Sequence, residues 1–397
     1  MAEKREHLNT QKFYPNVNNE DLLEFRIQAD AKGQVDLSNV TLHFSVTVPD
    51  LSGGKRTYLQ NYLGPKQFSS VEVRLNGKAV TRRSCANEYF LTSYFQNIIN
   101  YSLDYSTSAL QSMGIFDFNQ GSLAAFKNFP ESYITALKNS RIFISESKTY
   151  EIIMPIDSSI FYTNDLLPSN TSIDLSFERL SSKLSCIQLE DGTVVDSVLP
   201  LNDVYLQIPF CKDPNMFHLE RNAIQKPLKI TFDDYVIKRF NVPSGSNNVM
   251  MSNLISGNLP TKLFWGIQTL DSYSGSFAES STRFNQNGLI KANLYINGKE
   301  YSDYPVNMSA TQASQPFVKF LENANQQLNG YLSRTMSIRE FSISNFIMSA
   351  TFDPDTSGSI SFEFEFENKP AKELVLIVCG IHEKVMRIDH NRNFQVI

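Results

Sequence analysis

Two stretches of this sequence follow one pattern: Val71-Glu-Val-Arg-Leu-Asn-Gly-Lys78 and Ala292-Asn-Leu-Tyr-Ile-Asn-Gly-Lys299. In each, a run of alternating side chains leads into Asn-Gly, the strongest short signal for a β-hairpin, because both central residues of a type I′ turn need positive φ. The two Asn-Gly pairs lie 221 residues apart in a chain of 397, and a helical stripe follows each pair. The shared order predicts two copies of one plan, with chance recurrence in an Asn-rich chain as the alternative.

The two helical stripes begin at recognisable signals. The first starts after Asn87 as N-cap, and the second starts at Ser314 with Pro316 in the first turn. The apolar positions are Phe90, Tyr94, Ile98 and Tyr101 in the first stripe and Phe317, Phe320, Leu321, Ala324 and Leu328 in the second, which Gly330 ends. We interpret both stripes as packing faces, since amphipathic helices usually cover cores.

Most of the remaining pattern is typical of β-strands. Apolar residues alternate with polar ones over 40–48, 173–178 and 362–367, which predicts strands with one face in a core and the other in water. On this pattern His43 belongs to the solvated face. The continuous apolar run from Leu374 to Cys379 predicts a strand buried on both faces.

The size and composition favour two β domains. A chain of 45.1 kDa suits two bodies of roughly 150–200 residues. Ser (45) and Asn (35) together outnumber the charged residues, and both types favour turns. We predict an N-terminal arm over 1–20, a first domain over 21–213, a linker over 214–226 and a second domain over 227–397. The segments 105–129, 252–257 and 271–287 are predicted to be loops at the ends of the domains.

The charge and the termini exclude several classes of protein. The formal net charge is −5 without a cluster of basic residues, so direct nucleic-acid binding is not expected. Residues 1–20 are polar and predict no secretory signal, and the uncharged stretch 240–261 is too polar to span a membrane. Cys85, Cys186, Cys211 and Cys379 form no CxxC pair, which predicts neither structural zinc nor a disulfide framework and fits a reducing compartment.

Catalytic and metal-binding motifs are absent from the sequence. The five histidines, His7, His43, His218, His382 and His390, form neither HExxH nor HxH. Cys85 and Cys379 are candidate nucleophiles, but inert cysteines are the favoured interpretation. Glu363, Glu365 and Glu367, with Asp353 and Asp355 nearby, could bind calcium weakly, although a solvated acidic face is favoured. We therefore predict no catalytic, cofactor-binding or metal-binding residues and no cofactor.

Several local patterns, taken in order, resemble the double jelly-roll major capsid proteins of double-stranded DNA viruses, and most closely those of Polinton/Maverick elements and adintoviruses. The patterns are the Asn-Gly-Lys strand with the Tyr-containing helix after it, the segment 150–179, the segment 253–266, and the ending Leu374–Val378 with Ile388-Asp-His-Asn-Arg-Asn393. Together they span roughly residues 20–397. Long surface insertions common in that lineage are not evident.

The resemblance implies an all-β chain of two tandem eight-stranded jelly rolls with short accessory helices. It implies a structural subunit without enzymatic activity, which forms homotrimers that serve as pseudo-hexameric capsomers of an icosahedral shell. Its expected partners are neighbouring capsomers, penton and minor capsid proteins, and its expected place is the virion, after assembly in the host nucleus or cytoplasm. The arm 1–20 is expected to lie beneath the shell. A lectin-like tandem jelly-roll protein and a host-domesticated capsid descendant are the alternatives.

Overall fold

A computed structural model describes most of the chain. The described residues are 6–28, 33–48, 57–81, 87–101, 109–115, 143–144, 148–163, 165–188, 196–212, 227–308, 313–324, 336, 338–354, 356–389 and 391–396. Strands dominate, and the sheets of residues 6–212 share no strand with those of residues 228–396. The predicted linker over 214–226 lies outside the described residues.

The first half contains fourteen described strands. They are β1 (Glu6–Phe13), β2 (Val17–Asn18), β3 (Leu22–Ile27), β4 (Gln34–Asp36), β5 (Thr41–Val48), β6 (Thr57–Leu59), β7 (Phe68–Leu75), β8 (Lys78–Ala79), β9 (Phe143–Ile144), β10 (Lys148–Pro155), β11 (Leu166–Leu167), β12 (Ile173–Arg179), β13 (Cys186–Gln188) and β14 (Leu201–Lys212). Eight of them, β1, β3, β5, β7, β8, β10, β12 and β14, can be lettered B to I along the chain. They form two sheets in the jelly-roll orders B-I-D-G and C-H-E-F.

The second half repeats this topology. Its described strands are β15 (Leu228–Val242), β16 (Asn248–Asn258), β17 (Lys262–Thr269), β18 (Leu289–Ile296), β19 (Lys299–Glu300), β20 (Val306–Asn307), β21 (Met348–Thr351), β22 (Ser357–Phe366), β23 (Leu374–Ile388) and β24 (Phe394–Val396). Without the short β20 and β24, they pair as β15-β23-β17-β21 and β16-β22-β18-β19, which are again B-I-D-G and C-H-E-F. The prediction of two tandem eight-stranded jelly rolls is confirmed.

The two Asn-Gly pairs are the E–F hairpin turns of the two halves. Both residues of each turn have positive φ, at 48° and 76° for Asn76 and Gly77 and at 52° and 78° for Asn297 and Gly298. Asn76 Oδ1 accepts a hydrogen bond from the backbone N–H of Ser172 at 2.8 Å. Asn297 Oδ1 does the same with Ser359 at 2.9 Å. The duplication therefore extends to individual hydrogen bonds.

The first jelly roll begins within the segment predicted as an arm. Glu6–Phe13 forms strand B, which pairs antiparallel with β14 from Phe13 opposite Leu206 to Glu6 opposite Lys212. The alternating apolar pattern that marks other strands is absent here, because an edge strand with an exposed face can consist largely of His, Asn, Thr, Gln and Lys. Residues 6–13 therefore belong to the first jelly roll rather than to a separate arm, whereas a position beneath the shell stays a prediction.

Aromatic side chains fill the space between the sheets. In the first half the rings of Phe44 and Phe68 lie 5.9 Å apart, edge to face. In the second half Trp265 lies 5.2 Å from Phe362 and 5.4 Å from Phe364. Each large side chain fully buried in this way contributes roughly 1.5–3 kcal/mol relative to exposure. The alternating patterns over 40–48 and 362–367 predicted correctly that Phe44, Phe362 and Phe364 face inward.

The described residues include four α-helices: α1 (Glu88–Asn100), α2 (Leu270–Ser274), α3 (Ser314–Asn323) and α4 (Ile338–Ser344). Helices α1 and α3 begin where the sequence predicted, although Asn87 has a left-handed backbone and makes no side-chain cap hydrogen bond. Leu328 and Gly330 lie outside the described residues. No helix in the described ranges is long and apolar enough to cross a bilayer.

Two of the predicted loops are structured, and a third is only partly described. Residues 252–257 lie within β16, so the loop prediction there was wrong; Asn253 has positive φ, which a bulge in the strand accommodates. Residues 271–287 contain most of α2, and three of their five serines, Ser272, Ser280 and Ser281, are buried rather than solvated. Of 105–129, only residues 109–115 are described, and Ala109–Met113 forms a short 3-10 helix. Ser and Asn thus line buried contacts as well as turns.

Candidate assembly site between the two halves

Helix α1 is buried on every side. All eleven residues from Tyr89 to Ile99 are buried, including the polar Thr92, Ser93, Gln96 and Asn97. An amphipathic surface helix would leave such a polar face in water. Helix α1 instead lies between the two jelly rolls and has two packing faces. The apolar stripe predicted from the sequence is only one of them.

Polar side chains at both ends of α1 bind the second half. Asn87 Nδ2 donates to the backbone oxygen of Tyr273 at 2.8 Å. Thirteen residues on, Asn100 Nδ2 donates to the hydroxyl of Tyr235, also at 2.8 Å. Because the two anchors lie at opposite ends of the helix, they fix both its position and its direction on the second half.

Aromatic stacking holds the middle of α1. The ring of Phe284 stacks on Tyr94 at 5.2 Å and lies 5.9 Å from Phe95, and the Tyr94 hydroxyl donates to Asn345 Oδ1 at 2.9 Å. Phe284 in turn covers Gly266 of β17, where an added Cβ would lie 2.6 Å from the Phe284 ring. A glycine is therefore needed at position 266 for this ring to approach the sheet.

A buried lysine lies beside the same interface. Lys66 is fully buried, and its Nζ donates to Gln60 Oε1 at 2.9 Å and to Thr282 Oγ1 of the second half at 3.4 Å. Gln60 Oε1 also accepts from the backbone N–H of Ser281 at 2.9 Å. Desolvation lowers the pKa of Lys66 well below its ordinary value. Residues 60, 66, 281 and 282, which we call the Lys66 cluster, therefore join the halves through hydrogen bonds rather than through an ion pair.

The segment after β10 makes a second contact between the halves. Ser159 Oγ donates to Asp234 Oδ1 at 2.7 Å and accepts from the backbone N–H of Tyr235 at 3.2 Å. Thr163 Oγ1 donates to the backbone oxygen of Thr231 at 3.2 Å. Asp234, Tyr235 and Thr231 all belong to β15. The segment after β10 and helix α1 therefore both contact the first strand of the second half.

The E–F hairpin of the first half reaches the end of the chain. Asn76 Nδ2 donates to the backbone oxygen of Arg392 at 3.1 Å, and Lys78 Nζ lies 3.4 Å from Asn393 Oδ1. Asp389 shapes this ending by accepting hydrogen bonds from the backbone N–H groups of Asn391 and Asn393 at 2.8 Å. The Asn-Gly-Lys turn and the C-terminal Asn-Arg-Asn sequence, both of which contribute to the resemblance, are thus in contact.

A buried carboxyl group lies where these contacts meet. Asp157 is only 4% exposed, its backbone N–H donates to the Tyr89 hydroxyl at 3.2 Å, and the Tyr162 hydroxyl lies 3.5 Å from Oδ1. Desolvation raises the pKa of Asp157 from 3.8 to about 6. The charged form therefore destabilises the folded protein at neutral pH.

Of the two candidate nucleophiles, the structure describes only Cys379. Cys379 is fully buried in β23, and burial raises the pKa of its thiol well above the ordinary value, so the thiolate is not accessible at neutral pH. The run from Leu374 to Cys379 is buried on both faces, as predicted. Cys85 lies outside the described residues.

The acidic strand does not gather metal ligands in the described structure. Glu363 accepts a hydrogen bond from the Tyr295 hydroxyl at 2.7 Å, and Glu365 pairs in register with Lys291. Asp355 lies outside the described residues, and no group of three metal-ligating side chains occurs among those that are described. The glutamates belong to a hydrogen-bonded sheet face.

The prediction that His43 is solvated was wrong. Its side chain is 9% exposed, stacks on Tyr205 at 4.5 Å and lies 2.9 Å from Thr41 Oγ1. Desolvation lowers its pKa below 6.5, which favours the neutral ring. The alternating pattern predicted correctly that His43 lies on the outer face of the sheet. The ring of Tyr205 covers it there and excludes water. His382 lies in β23, and the residues His218 and His390 lie outside the described part of the chain, as does the side chain of His7.

The sequence did not reveal the residues that join the halves. Gln60, Lys66, Asp157 and Phe284 lie in irregular segments, where neither a period of two nor one of 3.6 marks the buried positions. A cleft of about 280 Å³ on the outer C-H-E-F face of the first half is lined mainly by Glu24, Arg26, Glu72, Arg74, Asp174 and Ser176. Its charged lining lacks the exposed aromatic ring that a sugar site would use, so it does not favour the lectin alternative.

Replacing Asp157 by Asn should change how stability depends on pH. Because the folded-state pKa of about 6 exceeds 3.8, Asp157 takes up a proton first in the folded protein, and its contribution to the free energy of unfolding rises as the pH falls from 7.5 to 4. Asp157→Asn should be more stable than wild type by up to about 3 kcal/mol at pH 7.5, with the difference disappearing near pH 4. Chemical denaturation at both pH values measures this. The exposed Asp165→Asn is the control, and a difference independent of pH would contradict the account.

A double-mutant cycle tests the Lys66 cluster. Gln60→Leu removes the acceptor of the Lys66 amine and should lower the free energy of unfolding by about 1–3 kcal/mol. Lys66→Met leaves Gln60 bonded to Ser281 and should cost less. In the double variant the loss should be smaller than the sum of the two single losses. Strict additivity in denaturant titrations would show that these side chains are not coupled.

Comparisons with known proteins reveal this architecture in solved structures. No family model and no curated protein matches the sequence. The structure is similar to that in the 3.5 Å electron cryomicroscopy structure of the Sputnik virophage, with a TM-score of 0.68, 9% identity, and coverage of 100% of this chain and 90% of that chain.

Two further structures are similar over nearly the whole chain. One is PBCV-1 VP54, as fitted into a reconstruction of the Sputnik virophage, with a TM-score of 0.60, 11% identity, and coverage of 100% of this chain and 98% of that chain. The other is the mavirus major capsid protein, with a TM-score of 0.53, 11% identity, and coverage of 98% and 90%. These are double jelly-roll capsid proteins, and the chain described here has the double jelly-roll fold.

Proposed function

We propose that the chain is a viral major capsid protein, a structural subunit of an icosahedral shell. The observation that carries the proposal is that the described residues form two jelly rolls of identical strand order, joined through a buried helix. The similarity to capsid proteins over at least 98% of this chain supports it. This role needs no catalytic residue and locates the protein in the virion capsid.

Geometry links this architecture to a capsomer. Two similar domains in each chain and three chains in a ring provide six similar corners, and a hexagonal unit of this kind tiles a flat facet. The head-to-tail contacts of such a ring close after three copies, whereas contacts with neighbouring capsomers, penton and minor capsid proteins form the lattice. Membership in the Polinton/Maverick and adintovirus group stays a prediction from the sequence.

The weakly acidic charge fits this role. A shell subunit does not condense the genome, so it does not need the basic stripe that phosphate contacts require. The Ser- and Asn-rich composition supplies many hydrogen-bonding groups at small size, both in the turns and between the two jelly rolls. Other proteins would therefore contact the DNA.

The solution mass of the purified protein tests the proposal. We expect a species of about 135 kDa, three times the chain mass of 45.1 kDa, that persists at micromolar concentration. Size-exclusion chromatography with multi-angle light scattering measures it. A monomer of 45.1 kDa across the micromolar range would contradict the proposal.

A further inference from the structure

The same sheet face has different surroundings in the two halves. On the outer face of the B-I-D-G sheet in the second half, Phe264, Ile237 and Cys379 are fully buried and Tyr235 nearly so. Helix α1 packs against β15, and α3 covers β17 by packing Phe320 on Phe264 at 6.0 Å. In the second half this face is thus an interface within the chain.

In the first half the equivalent face carries an exposed aromatic group. Tyr14, at the end of strand B, is 70% exposed and lies 6.3 Å from Tyr205 of strand I. Lys12 Nζ lies 4.2 Å from the centroid of the Tyr205 ring, and His43 of strand D stacks on the same Tyr205 ring at 4.5 Å. We call Lys12, Tyr14, His43 and Tyr205 the Tyr14 patch.

The contact within the chain suggests what meets the Tyr14 patch. Helix α1 belongs to the segment between strands F and G of the first half, and it lies on the outer B-I-D-G face of the second half. In a closed ring of six similar jelly rolls, the same kind of contact recurs between chains. The F–G segment of the second half, which contains α3 and α4, would then face the outer B-I-D-G face of the first half in the next chain.

Exposed apolar side chains mark both surfaces. Among the described residues, the exposed large hydrophobic side chains are Tyr14, Met250 and Ile338. Tyr14 is in the patch, and Ile338 begins α4, in the F–G segment of the second half, with 42% of its side chain exposed. Two of these three residues therefore fall on the two surfaces that the ring geometry brings together.

We propose that the Tyr14 patch is the docking surface for the α3–α4 segment of a second copy of this chain. The inference rests on the proposed function, because it needs a ring of three chains. Tyrosine gives a large contact area at low entropic cost and is enriched among interface anchors, and Lys12 with Tyr205 provides a polar rim. The Tyr14 patch would thus bind the F–G segment of a neighbouring chain, just as the same sheet face of the second half binds α1 within one chain.

Two surface substitutions test the docking. Tyr14→Arg and Ile338→Glu should each weaken the trimer at least about tenfold in dissociation constant, because each places a charge in the contact. Met250→Glu is the matched control, since Met250 is 54% exposed on the other sheet of the second half. It should leave the dissociation constant unchanged. Light scattering over a dilution series measures all three variants.

Radical footprinting gives a second readout that does not depend on the variants. In the wild-type trimer, Tyr14 and Ile338 should be modified severalfold more slowly than after dilution to monomers, whereas Met250 should react at the same rate in both states. A wild-type trimer with unaffected variants and unshielded Tyr14 overturns this inference alone. A wild type that never forms trimers overturns both this inference and the proposed function.

Discussion

The burial of helix α1 on all sides is the constraint on which the rest of the structure depends. Its residues fill the end of the first jelly roll and cover the first strand of the second, so neither half has a complete surface without the other. A helix buried between two domains is stable only when its polar groups find hydrogen-bond partners. Asn87, Asn100 and Tyr94 donate to the backbone oxygen of Tyr273, the Tyr235 hydroxyl and Asn345 Oδ1, and these three acceptors lie in the second half.

This constraint sets the angle between the two jelly rolls. Stacking of Phe284 on Tyr94, the Lys66 cluster and the contacts of Ser159 with β15 all join the two halves. Contacts made by several segments of the chain oppose hinge motion between the halves. If three chains form a ring, this fixed angle within each chain determines the angle that must recur between chains, and a rigid subunit then assembles in one geometry only.

Local sequence patterns predicted the elements but not the surfaces between them. The Asn-Gly turns, the alternating strands and the doubly buried run at Leu374 follow from backbone geometry and a period of two, so they could be read directly. Strand B of the first half was missed because its edge position tolerates polar residues. Lys66 and Phe284 were missed because they are buried by a partner more than 180 residues away, which no local period records.

Electron microscopy of the purified protein tests the central claim most directly, because it shows how the two fused jelly rolls are arranged in the assembled unit. The account predicts class averages with a hexagonal outline, three-fold symmetry and six similar lobes around the centre, two from each chain. Isolated two-lobed particles, or rings with a number of lobes other than six, would contradict it.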